Sequence, residues 1–168
     1  MEETLTLAEL GERLKAFSSA FLCTRAAGAG IVARPMQVVR VDNDGVMWFV
    51  TGFASAKVVD LQAHPDVAVT LQRGDRYAAI SGRAEVHVDR ELIRSLWSET
   101  WRPWFPEGPE TADLALISVT PTSGELWDIS GVLRKLRFLA QAGRAYARGE
   151  PLRERGYDHA RLQSTRTP

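Results

Sequence analysis

The chain has 168 residues, 45% hydrophobic and 25% charged, with zero formal net charge, which fits one globular domain and excludes a disordered or low-complexity chain. A single cysteine, Cys23, excludes an internal disulfide and a cysteine-rich metal site. The charge is unevenly spread: residues 1–133 carry 12 Lys/Arg against 18 Asp/Glu, and residues 134–168 carry 9 against 3.

Thr4 or Thr6 can cap a first helix, with Leu7, Leu10, Leu14 and Phe17 at helical spacing. Ala20–Thr24 reads as a short strand in which Cys23 is a small buried thiol. The turn Ala26–Gly30 follows; its Gly-x-Gly lacks the rest of a dinucleotide fingerprint. Ile31–Val41 and Val46–Thr51 form a hairpin around Asp42-Asn-Asp-Gly45. Ala54–His64 is a short helix stopped by Pro65. Val67–Gln72 and Tyr77–Val88 are strands joined at Arg73-Gly-Asp75, the second with Ala78, Ile80, Gly82, Ala84, Val86 and Val88 on one packed face. Asp89 caps a helix through Trp97, and an aromatic, proline-rich loop runs from Trp101 to Pro109. Leu114–Thr120 and Gly124–Ile129 read as a last strand pair around Pro121-Thr-Ser123, and Lys135–Arg148 as a closing helix. Short strands at close spacing with few helices predict a mainly β fold, an antiparallel barrel rather than a parallel sheet. Residues 1–148 are expected to form this domain and 149–168 a basic, poorly ordered tail.

No apolar run approaches the ~20 residues of a membrane helix, and the acidic start lacks a signal-peptide pattern. The expected compartment is the cytoplasm. Leu, Phe, Ala and Tyr interleave with the arginines of the tail, which argues against nucleic acid as its partner. His64, His87 and His159 have no nucleophile at a recognisable spacing, and no metal-ligand spacing occurs. Trp97, Trp101, Trp104 and Phe105 fall within nine positions, as a core lid, a subunit contact or the wall of a flat ligand's pocket.

The most informative stretch is Trp48–Leu61, a buried strand running through a glycine turn into a helix. Thr51, Ser55 and Lys57 gather at that junction with the free N–H groups of a helix start, a set that suits a phosphate. Arg34, at the head of a neighbouring strand, supplies a planar fork that phosphate favours.

Arg34-Pro-Met-Gln37, Trp48 to Lys57, Tyr77 to Glu85, Trp104-Phe-Pro-Glu-Gly108, Leu116 to Pro121 and Glu125-Leu-Trp-Asp128 occur in an order similar to the pyridoxamine-phosphate-oxidase-like superfamily, most specifically its general-stress-protein branch. The resemblance spans roughly residues 7–145 and implies a six-stranded antiparallel split β-barrel, the FMN-binding split barrel, as a homodimer with flavin at the subunit interface. It implies that Arg34 and Lys57 pair with the flavin phosphate while Ser55 and Thr51 add hydroxyl bonds. Backbone at Arg34, Pro35, Met36 and Gln37 and at Val50 and Thr51 would lie along the ring, and Tyr77 would face it. Trp104 or Trp127 is a candidate to cover the ring from the partner subunit. The implied activity is flavin redox chemistry with a small-molecule or nicotinamide electron donor and no catalytic side chain. FMN is the expected cofactor, with FAD or a deazaflavin as alternatives, and a non-catalytic flavin-binding stress protein is the alternative to an oxidoreductase. Ala56 stands where the vitamin-forming oxidases carry a basic residue, and the tail Tyr157–Leu162 lacks their Arg-x-His segment, which argues against that particular activity.

Overall fold

Alternation sets the architecture: Val67, Val69 and Leu71 are buried while Asp66, Ala68 and Thr70 between them are exposed, so this strand lays one face on a core. The computed structural model describes residues 3–28, 30–130, 132–149 and 158–162. Over these residues the strands are β1 (Glu3–Thr4), β2 (Ser19–Ala26), β3 (Gly30–Val41), β4 (Met47–Gly52), β5 (Asp66–Arg73), β6 (Arg76–His87), β7 (Leu114–Asp128) and β8 (Asp158–Leu162). The helices are α1 (Leu7–Leu14), α2 (Ala56–Ala63), α3 (Arg90–Leu96) and α4 (Val132–Arg148). Among the described residues no helix is long and apolar enough to cross a membrane.

Six antiparallel strands close on themselves in the order β7-β4-β3-β2-β5-β6, with β6 pairing back onto β7. The barrel is split by β7, whose first half, Leu114–Val119, pairs with β4 and whose second half, Gly124–Asp128, pairs with β8. β1 joins the outer edge of β8 in parallel. The interior is filled by Leu22, Phe49, Val69, Ile80 and Ile117, and Leu10 and Leu14 of α1 pack into the same cluster. α1 begins at Thr6, whose hydroxyl accepts from Glu9 N–H at 3.2 Å while Glu9 accepts from Thr6 N–H at 2.8 Å. A second apolar cluster lies between the barrel wall and the segment after β6: Trp48, Leu114 and Leu116 from the sheet against Ile93 of α3 and Trp101.

Two sequence expectations are corrected here. Leu114–Thr120 and Gly124–Ile129 are not a strand pair but one continuous strand. Pro121 sits at a register shift, where Gly82 opposes Pro121 and Ser81 opposes Ser123, leaving Thr122 as the extra residue of a bulge. Within the expected tail, Asp158–Leu162 is a strand; Ala160 and Leu162 are buried in the main cluster, which ties this part of the tail down. The rest of the 149–168 tail beyond Gly149 lies outside the described residues.

Candidate functional site

The junction between β4 and α2 is shaped by a residue far along the chain. A Cβ on Gly52 would fall 2.5 Å from a carboxylate oxygen of Asp113, so glycine leaves room for that carboxylate to lie against the turn. Asp113 then accepts from two N–H groups of the turn, Ala54 at its carboxylate (2.8 Å) and Phe53 at its carbonyl (2.6 Å). The chain reaches Ser55 in an extended conformation and enters α2. Ser55 occupies the N-cap position, yet its hydroxyl makes no capping bond. It lies instead 3.2 Å from the Thr51 hydroxyl, which also accepts from Lys57 Nζ at 2.9 Å.

Arg34 reaches the middle of α2 from β3. Its guanidinium donates to the Thr24 hydroxyl at 2.6 Å and to Asp60 at 3.0 Å, and Thr24 donates to the same Asp60 oxygen at 3.0 Å. Thr24 and Asp60 are both buried, so the arginine head is held in a closed three-member network. The Lys57 ammonium is pushed below the ordinary lysine value, first by burial and then by the positive charge of Arg34. Lys57, its charge disfavoured by burial and by Arg34, is therefore a cation that an anion in this part-buried space would relieve.

A cavity of about 330 Å³ opens beside this cluster, at the small end of the usual ~300–1,000 Å³ for ligand sites. One side is Pro35, Met36 and Gln37 of β3 with Val50, Thr51 and Gly52 of β4. Lys57, Trp101, Trp104 and Phe105 complete the lining. The lining carries no carboxylate, imidazole or thiol.

Of the nine expected site residues, Pro35, Met36, Gln37, Val50, Thr51 and Lys57 border this cavity, and Ser55 and Arg34 adjoin it through Thr51 and Lys57. Tyr77 does not: it lies opposite Trp127 across β6 and β7, and lines a separate cleft with Phe21 and Trp127. Trp104, expected as a contribution from the partner subunit, borders its own chain's cavity. Sequence reasoning missed Thr24, Asp60 and Asp113. The available signal for Asp60 was a carboxylate inside the apolar run Val58-Val59-Asp60-Leu61; Thr24 and Asp113 gave none, because their roles arise from strand pairing.

His87 contacts the Ser118 hydroxyl at 2.7 Å, a pairing invisible in the sequence. Ser118 is buried, the His87 ring packs on Trp48 at 5.1 Å, and neither residue borders the cavity, so the pair serves the barrel wall. Among the described residues no group of three or more His, Cys, Asp or Glu is placed to hold a metal.

Comparison with known proteins agrees with this architecture. The profile of the family described as pyridoxamine 5'-phosphate oxidase like matches residues 6–151. A putative general stress protein 26 from Jannaschia sp. CCS1 superposes with a TM-score of 0.66 at 27% identity, covering 93% of this chain and 96% of that one. A general stress FMN/FAD binding protein from Xanthomonas citri gives 0.64 at 23% identity, over 74% and 89% of the two chains. A protein from Clostridium acetobutylicum related to general stress protein 26 of B. subtilis gives 0.63 at 17% identity, over 71% and 86%. No curated protein sequence matches significantly.

Proposed function

Since the chain belongs to the pyridoxamine 5'-phosphate oxidase-like family, we propose that it is a flavin-binding protein whose cofactor is FMN and whose chemistry is flavin-dependent oxidoreduction. The observation that carries this reading is the cluster of Lys57, Thr51 and the non-capping Ser55 hydroxyl, of which Lys57 and Thr51 border the cavity. The donor set fits a phosphate ester: Lys57 and Arg34 neutralise its charge, and Ser55 and Thr51 donate hydroxyl hydrogen bonds in place of the one they share. The strand segments Pro35–Gln37 and Val50–Gly52 line the cavity where a ring would lie. When bound, the flavin supplies the transfer of an electron pair to or from a small-molecule or nicotinamide partner. The chain's own residues bind, orient and shield it; none is assigned as acid, base or nucleophile.

We further propose that the chain acts as a homodimer. β2 and β3 are interior strands of the barrel, yet Phe21 and Ile31 on them are 51% and 70% exposed. The neighbouring outer face of β5, β6 and β7 is a groove of about 750 Å³ floored by small residues such as Ala68, Ala79, Ser81 and Ser123. A second copy would bury both, and would bring Tyr77 and Trp127 toward a flavin held across the interface. FAD is a second reading of the cofactor, drawn from the name of the Xanthomonas citri neighbour.

The test is to purify the protein, record its visible spectrum, and titrate it with FMN, FAD, riboflavin and a deazaflavin while following mass by sedimentation. Flavin bands travelling with a dimer support the reading, and stopped-flow reduction with a panel of donors then separates an oxidoreductase from a carrier. A protein that ignores every flavin overturns it.

A further inference from the structure

We infer that Trp104 is the ring-stacking wall of this site, supplied by the same chain that grips the phosphate, and that it selects ligands with a planar aromatic head; this rests on the flavin-binding reading. Tryptophan is usually buried over most of its surface, yet Trp104 is 71% exposed at the rim of the cavity. Its exposure is enforced by the loop that carries it. Trp101, three residues earlier, is 2% exposed and meets Trp97 edge-on at 5.6 Å, which fastens the loop to the second apolar cluster. The Trp101 carbonyl accepts the N–H groups of both Trp104 and Phe105 at 3.0 Å. Arg102 forks onto Glu99 at 2.5 and 2.9 Å and donates to the Pro106 carbonyl at 3.1 Å. Glu99 also accepts from the Trp97 indole at 2.9 Å, so both flanks of Trp104 are tied.

The cavity itself says what the exposed ring meets. Its one charged side chain is Lys57, with Thr51 and Gln37 as further polar groups, while Met36, Val50, Phe105 and Trp104 supply apolar surface. A ligand that satisfies both parts has an anionic tail and a flat, apolar head. Trp104 and Phe105, both bordering the cavity, can stack on a planar ring and give nothing comparable to an aliphatic chain. Trp104 is thus a specificity-determining residue that acts on the ring and not on the phosphate.

The experiment compares full-length wild type, Trp104→Phe, Trp104→Ala and Lys57→Met, each titrated with FMN and riboflavin, with bound-flavin emission recorded at saturation. Trp104→Ala is expected to weaken FMN and riboflavin alike by about 10-fold, with brighter bound flavin as a stacked quencher is lost. Trp104→Phe should keep affinity within about threefold of wild type, and Lys57→Met should weaken FMN alone. Unchanged flavin affinity in Trp104→Ala overturns the inference, as does a loss confined to FMN. If a second copy covers Trp104 instead, Trp104→Ala shifts the monomer–dimer equilibrium without flavin and leaves flavin affinity of the dimer unchanged; that also overturns it. Absence of flavin binding in wild type defeats the underlying reading, and is told apart because it needs no variant.

Discussion

Replacing Lys57 by methionine separates what this residue does for a ligand from what it does for the fold. Methionine keeps the length of the side chain and removes the ammonium. In the free protein that ammonium donates one bond, to Thr51 at 2.9 Å, and both burial and Arg34 push it toward losing its proton. A charge-assisted hydrogen bond to a phosphate contributes about 1.5–3 kcal/mol, so FMN affinity should fall by about 10- to 150-fold, while riboflavin, lacking the phosphate, should change little. Stability should move the other way. Because the folded pKa of Lys57 lies below the ordinary 10.5, the charged form penalises the folded state at every pH below that depressed value, and the penalty fades as pH rises toward 10.5. The free variant should therefore melt no lower than wild type at pH 7, and any advantage should shrink near pH 10. Isothermal titration with both flavins and thermal melts at the two pH values measure this. Equal losses for FMN and riboflavin, or a clearly less stable free variant at pH 7, would refute the reasoning.

Asp60→Ala strips the buried carboxylate from Arg34 and Thr24, and should cost about 2–4 kcal/mol in urea unfolding because a mostly buried guanidinium loses its counter-charge; a loss under 1 kcal/mol would show the network is slack. Gly52→Ala places a methyl 2.5 Å from the Asp113 carboxylate and should cost about 1–3 kcal/mol. The double variant Gly52→Ala/Asp113→Ala should be less destabilised than the sum of the singles, as a double-mutant cycle will show. The Glu99 carboxyl is held down to about 2 by Arg102 and the Trp97 indole. Its pKa is depressed on folding, so its contribution is present above the ordinary 4.5 and is lost as pH falls toward 2. Tryptophan emission from the loop should hold steady from pH 7 to 4.5 and change only below.

The parts of the site readable in the sequence are those that lie along one strand or one junction. Arg34–Gln37 and Val50–Lys57 are contiguous runs: the strand, glycine turn and helix start marked Thr51, Ser55 and Lys57, the resemblance supplied Pro35, Met36, Gln37 and Val50, and of these seven all but Ser55 border the cavity. Thr24, Asp60 and Asp113 escaped because each acquires its partner through barrel closure, from segments 10 to 59 residues away. Tyr77 was assigned by resemblance, and no periodicity can tell which side of a closed barrel meets a neighbour's cavity. Pro121 looked like a turn because proline interrupts strand pairing, and the bulge at Thr122 is how one long strand tolerates it. In Asp158–Leu162, the alternation of Ala160 and Leu162 was too short to stand out from the surrounding charge.

The brace between Asp113 and the turn at Phe53–Ala54 spans 59 positions of sequence. A nascent chain that has emerged only as far as the aromatic loop already displays Thr51, Ser55 and Lys57, with the local bond from Ser55 N–H to the Gly52 carbonyl, but lacks the brace from Asp113. The brace arrives with residue 113 and the strand that follows it, when β7 pairs with β4 and the loop-closure entropy has been met. On the proposed reading, a fragment truncated before β7 should carry Arg34, Thr51, Ser55 and Lys57 and still fail to bind a phosphate ester.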